Sequence, residues 1–252
     1  MAVLRFASVL FVVTCVATPT SAQTAPKEPP PLWDLQLGAS FVGTSGNSET
    51  TTMGADAAAH RRWEKWRVEA AAAAIRASSK DVITAERYLG SVRGEYKLND
   101  RLDASAGEHV ERDVLAGVRG RSIADGGVKW AALRQPTWTV DTLTSIGWNH
   151  ESYVVGSSVD DAIALLQALS KVVLSPTADT TQRITLYPNL TRSDGYRAEA
   201  ELTAQAAMNT RLALKAGYLW RYSNAPIAGF VKSDSTITAS IVVRWKATQP
   251  AP

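Results

Sequence analysis

Residues 196–208 read YRAEAELTAQAAM, and apolar and polar side chains alternate along them almost without interruption. Alanine or leucine occupies positions 198, 200, 202, 204 and 206, and polar residues occupy the positions between. Side chains of a β-strand point alternately to opposite faces, whereas a helix would scatter every second position around its circumference. The alternation therefore predicts a strand with one apolar and one polar face, although alanine itself favours helices.

The same alternation recurs along the chain. It is strict in residues 33–41, 212–222 and 237–245. It is looser in further segments, namely 51–60, 66–75, 88–98, 102–109, 121–130, 138–149, 162–174 and 180–190. Together these segments predict an all-β protein of about twelve strands, with ten or fourteen as the alternatives, since single-chain bacterial barrels have even strand numbers.

The connections between the predicted strands are alternately short and long. The short ones are residues 61–65, 99–100, 133–137, 175–178 and 209–210, and the longer ones are 43–49, 77–84, 111–120, 150–160, 191–195 and 224–233. Outer-membrane barrels have tight periplasmic turns and longer external loops. The pattern predicts a single-chain antiparallel transmembrane β-barrel with both termini in the periplasm.

The beginning of the chain indicates export. Arg5, an apolar stretch over residues 6–17 and small residues at 20–22 predict a cleaved signal peptide, residues 1–22. The alternative is a lipoprotein signal at Cys15, but the apolar run continues past that residue. A Pro-rich periplasmic linker, residues 23–32, should precede a barrel over residues 33–246 and a short tail, 247–252. We expect the bacterial outer membrane as location, its lipid as surroundings, and the barrel-assembly machinery as a partner during biogenesis.

Composition excludes several classes of function. The 252 residues are 45% hydrophobic and 20% charged, which is enough material for a folded core. The net charge of +3 gives no reason to expect nucleic acid as a partner. Cys15 is the single cysteine and lies in the leader, so no disulfide or thiol chemistry is expected in the mature chain. No close histidine pair or calcium-loop pattern occurs, and we expect no metal and no cofactor.

The aromatic residues separate into two rows on the predicted map. Amphipathic rings favour the headgroup level of a membrane, with the apolar part buried and the polar tip hydrated. The periplasmic row comprises Trp33, Trp63, Trp66, Trp130, Trp138 and Trp245. The outer row comprises Tyr88, Tyr153, Tyr187, Tyr196, Tyr218, Tyr222, Trp148 and Trp220.

Several short motifs occur in an order that resembles a known family. They are residues 43–48 (GTSGNS), 84–88 (TAERY), 96–101 (YKLNDR), 111–113 (ERD), 126–130 (GGVKW) and the closing loop 226–234. The chain resembles small bacterial outer-membrane barrels of unknown function, whose members are often named salt-induced outer membrane proteins. The resemblance covers residues 33 to 245 and implies location and barrel fold. It implies no activity and no catalytic residues.

The polar face of the strands should line the lumen. By alternation the lumen-facing charges are Asp56, Arg67, Glu69, Arg87, Arg93, Glu95, Asp103, Asp125, Lys129, Asp141, Arg197, Glu199, Glu201, Lys215, Arg221 and Arg244. Twelve strands give a backbone radius of about 12 Å, so long side chains from opposite walls would meet. An unpaired charge in a confined lumen is costly, and we expect these charges to form salt bridges. The sequence therefore predicts a narrow, salt-bridged lumen with a structural role or a role as a channel for small solutes or ions.

Two alternative functions remain open. The first is a hydrolase at the membrane rim, for which His109 is the candidate because Ser105, Glu111 and Asp113 lie close in sequence. A hydrogen-bonded structural histidine is the simpler interpretation, and we expect no enzyme. The second alternative is a barrel that binds a ligand or a partner through its external loops. The sequence does not predict the oligomeric state.

Overall fold

The computed structural model describes residues 32–44, 50–80, 82–192, 195–227 and 229–247. The predicted signal peptide, residues 23–31 of the predicted linker and residues 248–252 of the predicted tail lie outside the described residues. Among the residues described, no helix has the length and apolar character needed to cross a membrane.

The described chain forms twelve β-strands and one short 3₁₀ turn. The strands are β1 Trp33–Thr44, β2 Thr50–Arg62, β3 Trp66–Ser79, β4 Val82–Lys97, β5 Leu102–Asp113, β6 Val118–Arg134, β7 Trp138–Tyr153, β8 Val159–Ser175, β9 Ala178–Pro188, β10 Tyr196–Ala207, β11 Leu212–Ser223 and β12 Ser233–Ala247; the 3₁₀ turn η1, Val114–Ala116, joins β5 to β6.

Every strand pairs antiparallel with its sequence neighbours, and β1 pairs with β12 to close the barrel. The closing register places Leu35 opposite Trp245 and Gln36 opposite Arg244. The closing pairs join residues 33–39 of β1 to residues 241–247 of β12, and over that stretch closure removes the unpaired strand edges that a sheet cannot leave in lipid. The predicted all-β, single-chain antiparallel barrel of about twelve strands is confirmed.

Contacts across the barrel identify its inner face. Arg221 on β11 hydrogen-bonds to Glu111 on β5, and these strands lie six places apart around the barrel in either direction. Side chains in phase with these two residues face the lumen, and the alternate positions face outward. The small apolar core therefore lies inside the lumen; its buried members are Val118, Ile123, Ala131, Leu143, Ile163, Leu165, Ala213 and Val242.

Two aromatic levels lie a membrane thickness apart. Leu102 pairs with Trp130 at one end of β5, and Arg112 pairs with Tyr88 at the other end, ten residues further (112 − 102). At about 3.4 Å per residue and a tilt of about 40°, ten residues rise about 26 Å, close to the apolar band of about 25 Å in such barrels.

Three connections at the outer end, β3–β4, β5–β6 and β7–β8, are shorter than the sequence predicts. β3 ends at Ser79 and β4 begins at Val82, so the predicted long loop over residues 77–84 is wrong. Lys80 in this tight connection has a φ of 48°, the left-handed conformation that such turns require. Strand β5 likewise continues to Asp113 and β7 to Tyr153. Charged residues at these strand ends resemble solvated loops in sequence, although they face the lumen.

Candidate functional site

A side-chain bridge crosses the lumen near its outer end. Arg221 Nη1 lies 3.0 Å from Glu111 Oε1, and Arg221 Nη2 lies 3.0 Å from Asp113 Oδ2. Glu111 and Asp113 are both buried. Bonds between charged partners are roughly twice as strong as neutral ones, so this contact holds two opposite walls together.

The bridge requires a flattened cross-section. A circular barrel of this strand number would be about 24 Å across its backbone. With standard bond lengths, arginine reaches about 7 Å and glutamate about 5 Å from the Cα atom. The contact of 3.0 Å between Arg221 and Glu111 therefore holds their Cα atoms within about 15 Å. Strands β5 and β11 approach each other here more closely than a circular barrel allows.

Glu111 is the centre of a continuous charge network. Its carboxylate also accepts from Arg87 Nε at 2.8 Å and from Arg121 Nη1 at 2.5 Å. Arg121 Nη2 donates to Glu151 at 2.6 Å, and Glu151 lies 3.4 Å from Arg197 Nη1. The network thus runs from β4 through β5, β6 and β7 to β10, and Arg221 joins it from β11. It narrows the lumen at this level.

A cavity of about 150 Å³ lies on the outer side of this network. Its lining includes Glu111, Arg121 and Arg221 together with residues of the β11–β12 connection. Ile227 and Phe230 of that connection reach η1 on the opposite wall, because a Cβ added at Gly117 would lie 2.7 Å from Ile227 Cδ1 and 2.9 Å from Phe230. Gly117 also has a φ of 83°. The cavity therefore has an apolar roof and an ionic floor.

The wall of the cavity carries a further ion pair. Arg192, in the β9–β10 connection, donates to both carboxylate oxygens of Asp161 at 3.1 and 2.6 Å. This hydrogen-bonded pair raises the pKa of Arg192, which stays charged. Asp160, the adjacent residue, contacts His150 at 2.8 Å on the outer face. The two neighbouring carboxylates thus point to opposite faces of β8.

A second bridge lies deeper in the lumen. Lys215 Nζ on β11 lies 3.3 Å from Asp56 Oδ2 on β2, with β12 and β1 between the two strands. Gly38 of β1 leaves room for this carboxylate, since an added Cβ would lie 2.5 Å from Asp56 Oδ1. This contact therefore joins strands three places apart around the barrel, whereas the Arg221 bridge joins opposite walls.

Other charge pairs run along the wall. Arg93 on β4 extends over Gly107 of β5 and binds both carboxylate oxygens of Asp125 on β6, at 3.0 and 2.6 Å. Glu95 binds Arg67 at 2.5 Å and Lys129 at 2.8 Å. These pairs neutralise the β3–β6 wall without crossing the barrel.

The remaining lumen-facing candidates lie as follows. Asp103 is 3.8 Å from Arg67, Glu201 is 2.9 Å from Arg183, Glu69 is 3.5 Å from His60, and Asp141 pairs with Arg134. Arg244 lies opposite Gln36 at the periplasmic end. Glu199 lines the outer cavity.

Most of the predicted interface aromatics are exposed on the outside of the barrel. Those more than 40% exposed are Trp33, Trp63, Trp66, Trp130, Trp138 and Trp245 at one end and Tyr88, Trp148, Tyr196 and Tyr218 towards the other. Trp220 and Tyr222 stack at 6.0 Å. Tyr153 and Tyr187 are in phase with Glu151 and Thr185 on the lumen face, so the prediction that they belong to the outer row is wrong. The Cζ atom of Arg197 lies over the ring of Tyr187, 5.3 Å from its centre.

His109 lies half-buried on the lumen face of β5. The residues that would assist it in hydrolysis are engaged elsewhere. The Ser105 hydroxyl accepts from Arg93 at 2.9 Å, Glu111 binds three arginines, and Asp113 accepts from Arg221. Within the described residues, no group of three metal-ligating side chains is close enough to hold an ion.

The sequence interpretation missed the centre of the network. It placed Glu111, Asp113, Glu151 and Asp160 in loops, and it omitted Arg121 and Asp161 from the lumen. The signal that could have placed these residues is the strand period of two. Continued past His109, a step of two residues reaches Glu111 and then Asp113, all on one face of β5.

Comparison with solved structures agrees with the barrel. The structure of an outer membrane channel from Pseudomonas putida F1 aligns with a TM-score of 0.52 at 12% identity, over 88% of this chain and 100% of that chain. The NanC porin aligns with a TM-score of 0.50 at 13% identity, over 85% of this chain and 99% of that chain. At these identities the likeness shows the fold, which is that of outer-membrane barrels.

Sequence comparison identifies a family. No curated protein matches the chain by sequence. One family, described as protein of unknown function, DUF481, matches residues 37–245, most of the chain. The predicted resemblance to barrels of unknown function is confirmed, and the chain belongs to this family.

Proposed function

We propose that the protein is an outer-membrane barrel of the bacterial envelope whose narrow, salt-bridged lumen passes only small ions or solutes. The observation that carries this proposal is the bridge from Arg221 to Glu111 and Asp113 across the flattened barrel. A side chain that spans the lumen leaves no wide aqueous path at that level. The fold shared with a channel and a porin supports conduction as the type of activity.

The lining on the two sides of the lumen supports a path for small polar species. Paired charges lie on both sides of the lumen, and β9, β10 and β12 add hydroxyl and amide side chains beside them: Thr181, Thr185, Thr203, Gln205, Thr236, Thr238 and Ser240. Hydroxyl and amide groups can replace part of a hydration shell without binding an ion tightly. Permeation would follow these uncharged polar side chains and would be limited at the Arg221 bridge.

Conductance in planar lipid bilayers tests the proposal. We expect small discrete steps for the wild type and larger steps for Arg221→Ala, since the substitution removes about 6 Å of side chain from the narrowest level. Arg183→Ala is the matched control. Arg183 faces the lumen but pairs at 2.9 Å with Glu201 on the neighbouring strand, so it crosses nothing. Silent bilayers for the wild type and Arg221→Ala alike would reject the channel and favour a structural role.

A further inference from the structure

The outward surface of the outer rim carries arginines on neighbouring strands. Arg76 lies on β3, Arg112 on β5 and Arg119 on β6, and all are exposed. Tyr88 on β4 lies between them and is 43% exposed. We name these four residues the rim arginine patch.

Strand register brings the patch together. Tyr88 pairs with Arg112 on one side and with Ala74 on the other, and Arg76 lies two residues beyond Ala74. Adjacent strands are about 4.8 Å apart, so β3 and β5 are separated by about 10 Å. Arg112 Nη1 also approaches the carbonyl oxygen of Arg119 at 3.4 Å. Long arginine side chains on this surface can therefore reach a common ligand.

The guanidinium groups of the rim arginine patch have hydrogen-bond donors that the protein does not use. Arg112 donates to a backbone carbonyl at 3.4 Å, and Arg119 Nη2 donates to the carbonyl of Val154 at 3.2 Å. Each guanidinium has five N–H donors, so one neutral acceptor leaves most of them available. The carboxylate of Glu86, which pairs in register with Arg76, accepts from Tyr88 Oη at 2.9 Å. Three arginines against this one carboxylate make the patch positive.

The other sectors of the outer rim have a different character. On β7 and β8, Trp148 Nε1 donates to Asp160 at 3.3 Å. On β10 and β11, the rings of Tyr196 and Tyr222 lie 5.7 Å apart. The basic sector over β3–β6 is therefore local and does not extend around the rim as a uniform belt.

We propose that the rim arginine patch binds the phosphate group of lipid headgroups in the outer leaflet. The Tyr88 row lies about 26 Å from the periplasmic aromatic row, which is headgroup level. Arginine presents a planar fork of donors that matches phosphate oxygens, and tyrosine is suited to the same interface. The proposal rests on the proposed outer-membrane location but not on conduction through the lumen.

Native mass spectrometry of the mature chain in detergent tests the proposal. The probes are a phosphatidic acid, the diacylglycerol with identical acyl chains, and inorganic phosphate. We expect the wild type to retain phosphatidic acid in preference to diacylglycerol. Arg112→Gln combined with Arg119→Gln should weaken that retention by about fivefold for each arginine. The matched control is Arg183→Gln, because Arg183 faces the lumen and cannot reach lipid.

Several outcomes would overturn the proposal. Equal retention of the two lipids by the wild type would show that the phosphate group is not recognised. Unchanged retention by the double variant would exclude Arg112 and Arg119. Inorganic phosphate binding as tightly as the phosphatidic acid would assign the patch to free phosphate. Both arginines are exposed, and circular dichroism of the double variant is expected to show an intact barrel. The lipid site and the channel can fail separately. A barrel that never conducts but retains phosphatidic acid supports only the lipid site. A double variant that conducts like the wild type but loses phosphatidic acid shows that the patch acts independently of the channel.

Discussion

Gly107 leaves the space through which Arg93 reaches Asp125. A Cβ added at Gly107 would lie 2.8 Å from Arg93 Cζ and Nη2 and 3.1 Å from the carbonyl oxygen of Val92. Ordinary contact between carbon atoms begins at about 3.5 Å, so Gly107→Ala must move the guanidinium by about 0.7 Å or more. A shift of that size takes the bonds of 3.0 and 2.6 Å to Asp125 towards the limit of hydrogen bonding.

The expected cost follows from the burial of the pair. The side chain of Asp125 is 2% exposed, whereas that of Arg93 is 22% exposed and can partly readjust. Hydrogen bonds to charged groups contribute about 1.5–3 kcal/mol each, and readjustment recovers part of that. Replacing glycine by alanine also restricts the unfolded chain and returns about 0.5 kcal/mol. We therefore expect Gly107→Ala to lower the free energy of unfolding by about 2 kcal/mol.

Urea unfolding of the refolded barrel in lipid, followed by tryptophan fluorescence, measures this change. The matched control is Gly94→Ala on β4, where an added Cβ meets nothing within 4 Å. We expect Gly94→Ala to be neutral or stabilising by about 0.5 kcal/mol. In an Arg93→Ala background, Gly107→Ala should cost much less, because only the contact of 3.1 Å with the carbonyl oxygen of Val92 remains. Equal unfolding free energies for Gly107→Ala, Gly94→Ala and the wild type would refute the reasoning.

Three further substitutions test other levels of the barrel. Gly127→Ala places a Cβ 2.1 Å from the backbone oxygen of Thr144, which cannot move as a side chain can, and should prevent refolding as judged by heat-dependent gel migration; a normally folded variant would contradict this. Phe230→Ala opens the apolar roof but leaves the ionic floor, so bilayer conductance should stay at the wild-type level, and a large increase would place the barrier at the roof. Lys215→Gln removes the deeper bridge, so combining it with Arg221→Ala should raise conductance above that of Arg221→Ala alone; equal conductance would show that the deeper bridge is no barrier.

The fold follows from the sequence because one physical constraint acts on every strand. Each strand has lipid on one face and other protein side chains on the opposite face, so its polarity has a period of two. This period is clear in residues 196–208, whereas the run of alanines in β3 hides it and helix propensity there suggests a different structure. The strand number and the antiparallel order follow from the same pattern.

The candidate site was less predictable, because its residues lie where the lipid constraint ends. Glu111, Asp113 and Glu151 occupy strand ends at or beyond the outer aromatic level, and no apolar face marks them as strand. Their pairing with Arg221 also depends on the flattening of the barrel, which alternation along one strand does not encode. The inward or outward direction of a residue was predictable where its strand was recognised, whereas contact between opposite walls was not.

The Arg221–Glu111 contact itself is the most direct test of the account. Magic-angle-spinning NMR of the isotopically labelled protein in lipid bilayers can measure the dipolar coupling between the ¹⁵Nη atoms of Arg221 and the ¹³Cδ atom of Glu111. The contact of 3.0 Å between nitrogen and oxygen predicts a measurable coupling, at a nitrogen-to-carbon distance of about 4 Å. The pair Arg183–Glu201 provides an internal reference at 2.9 Å on neighbouring strands. A clear reference coupling with none between Arg221 and Glu111 would show an open lumen and contradict the account.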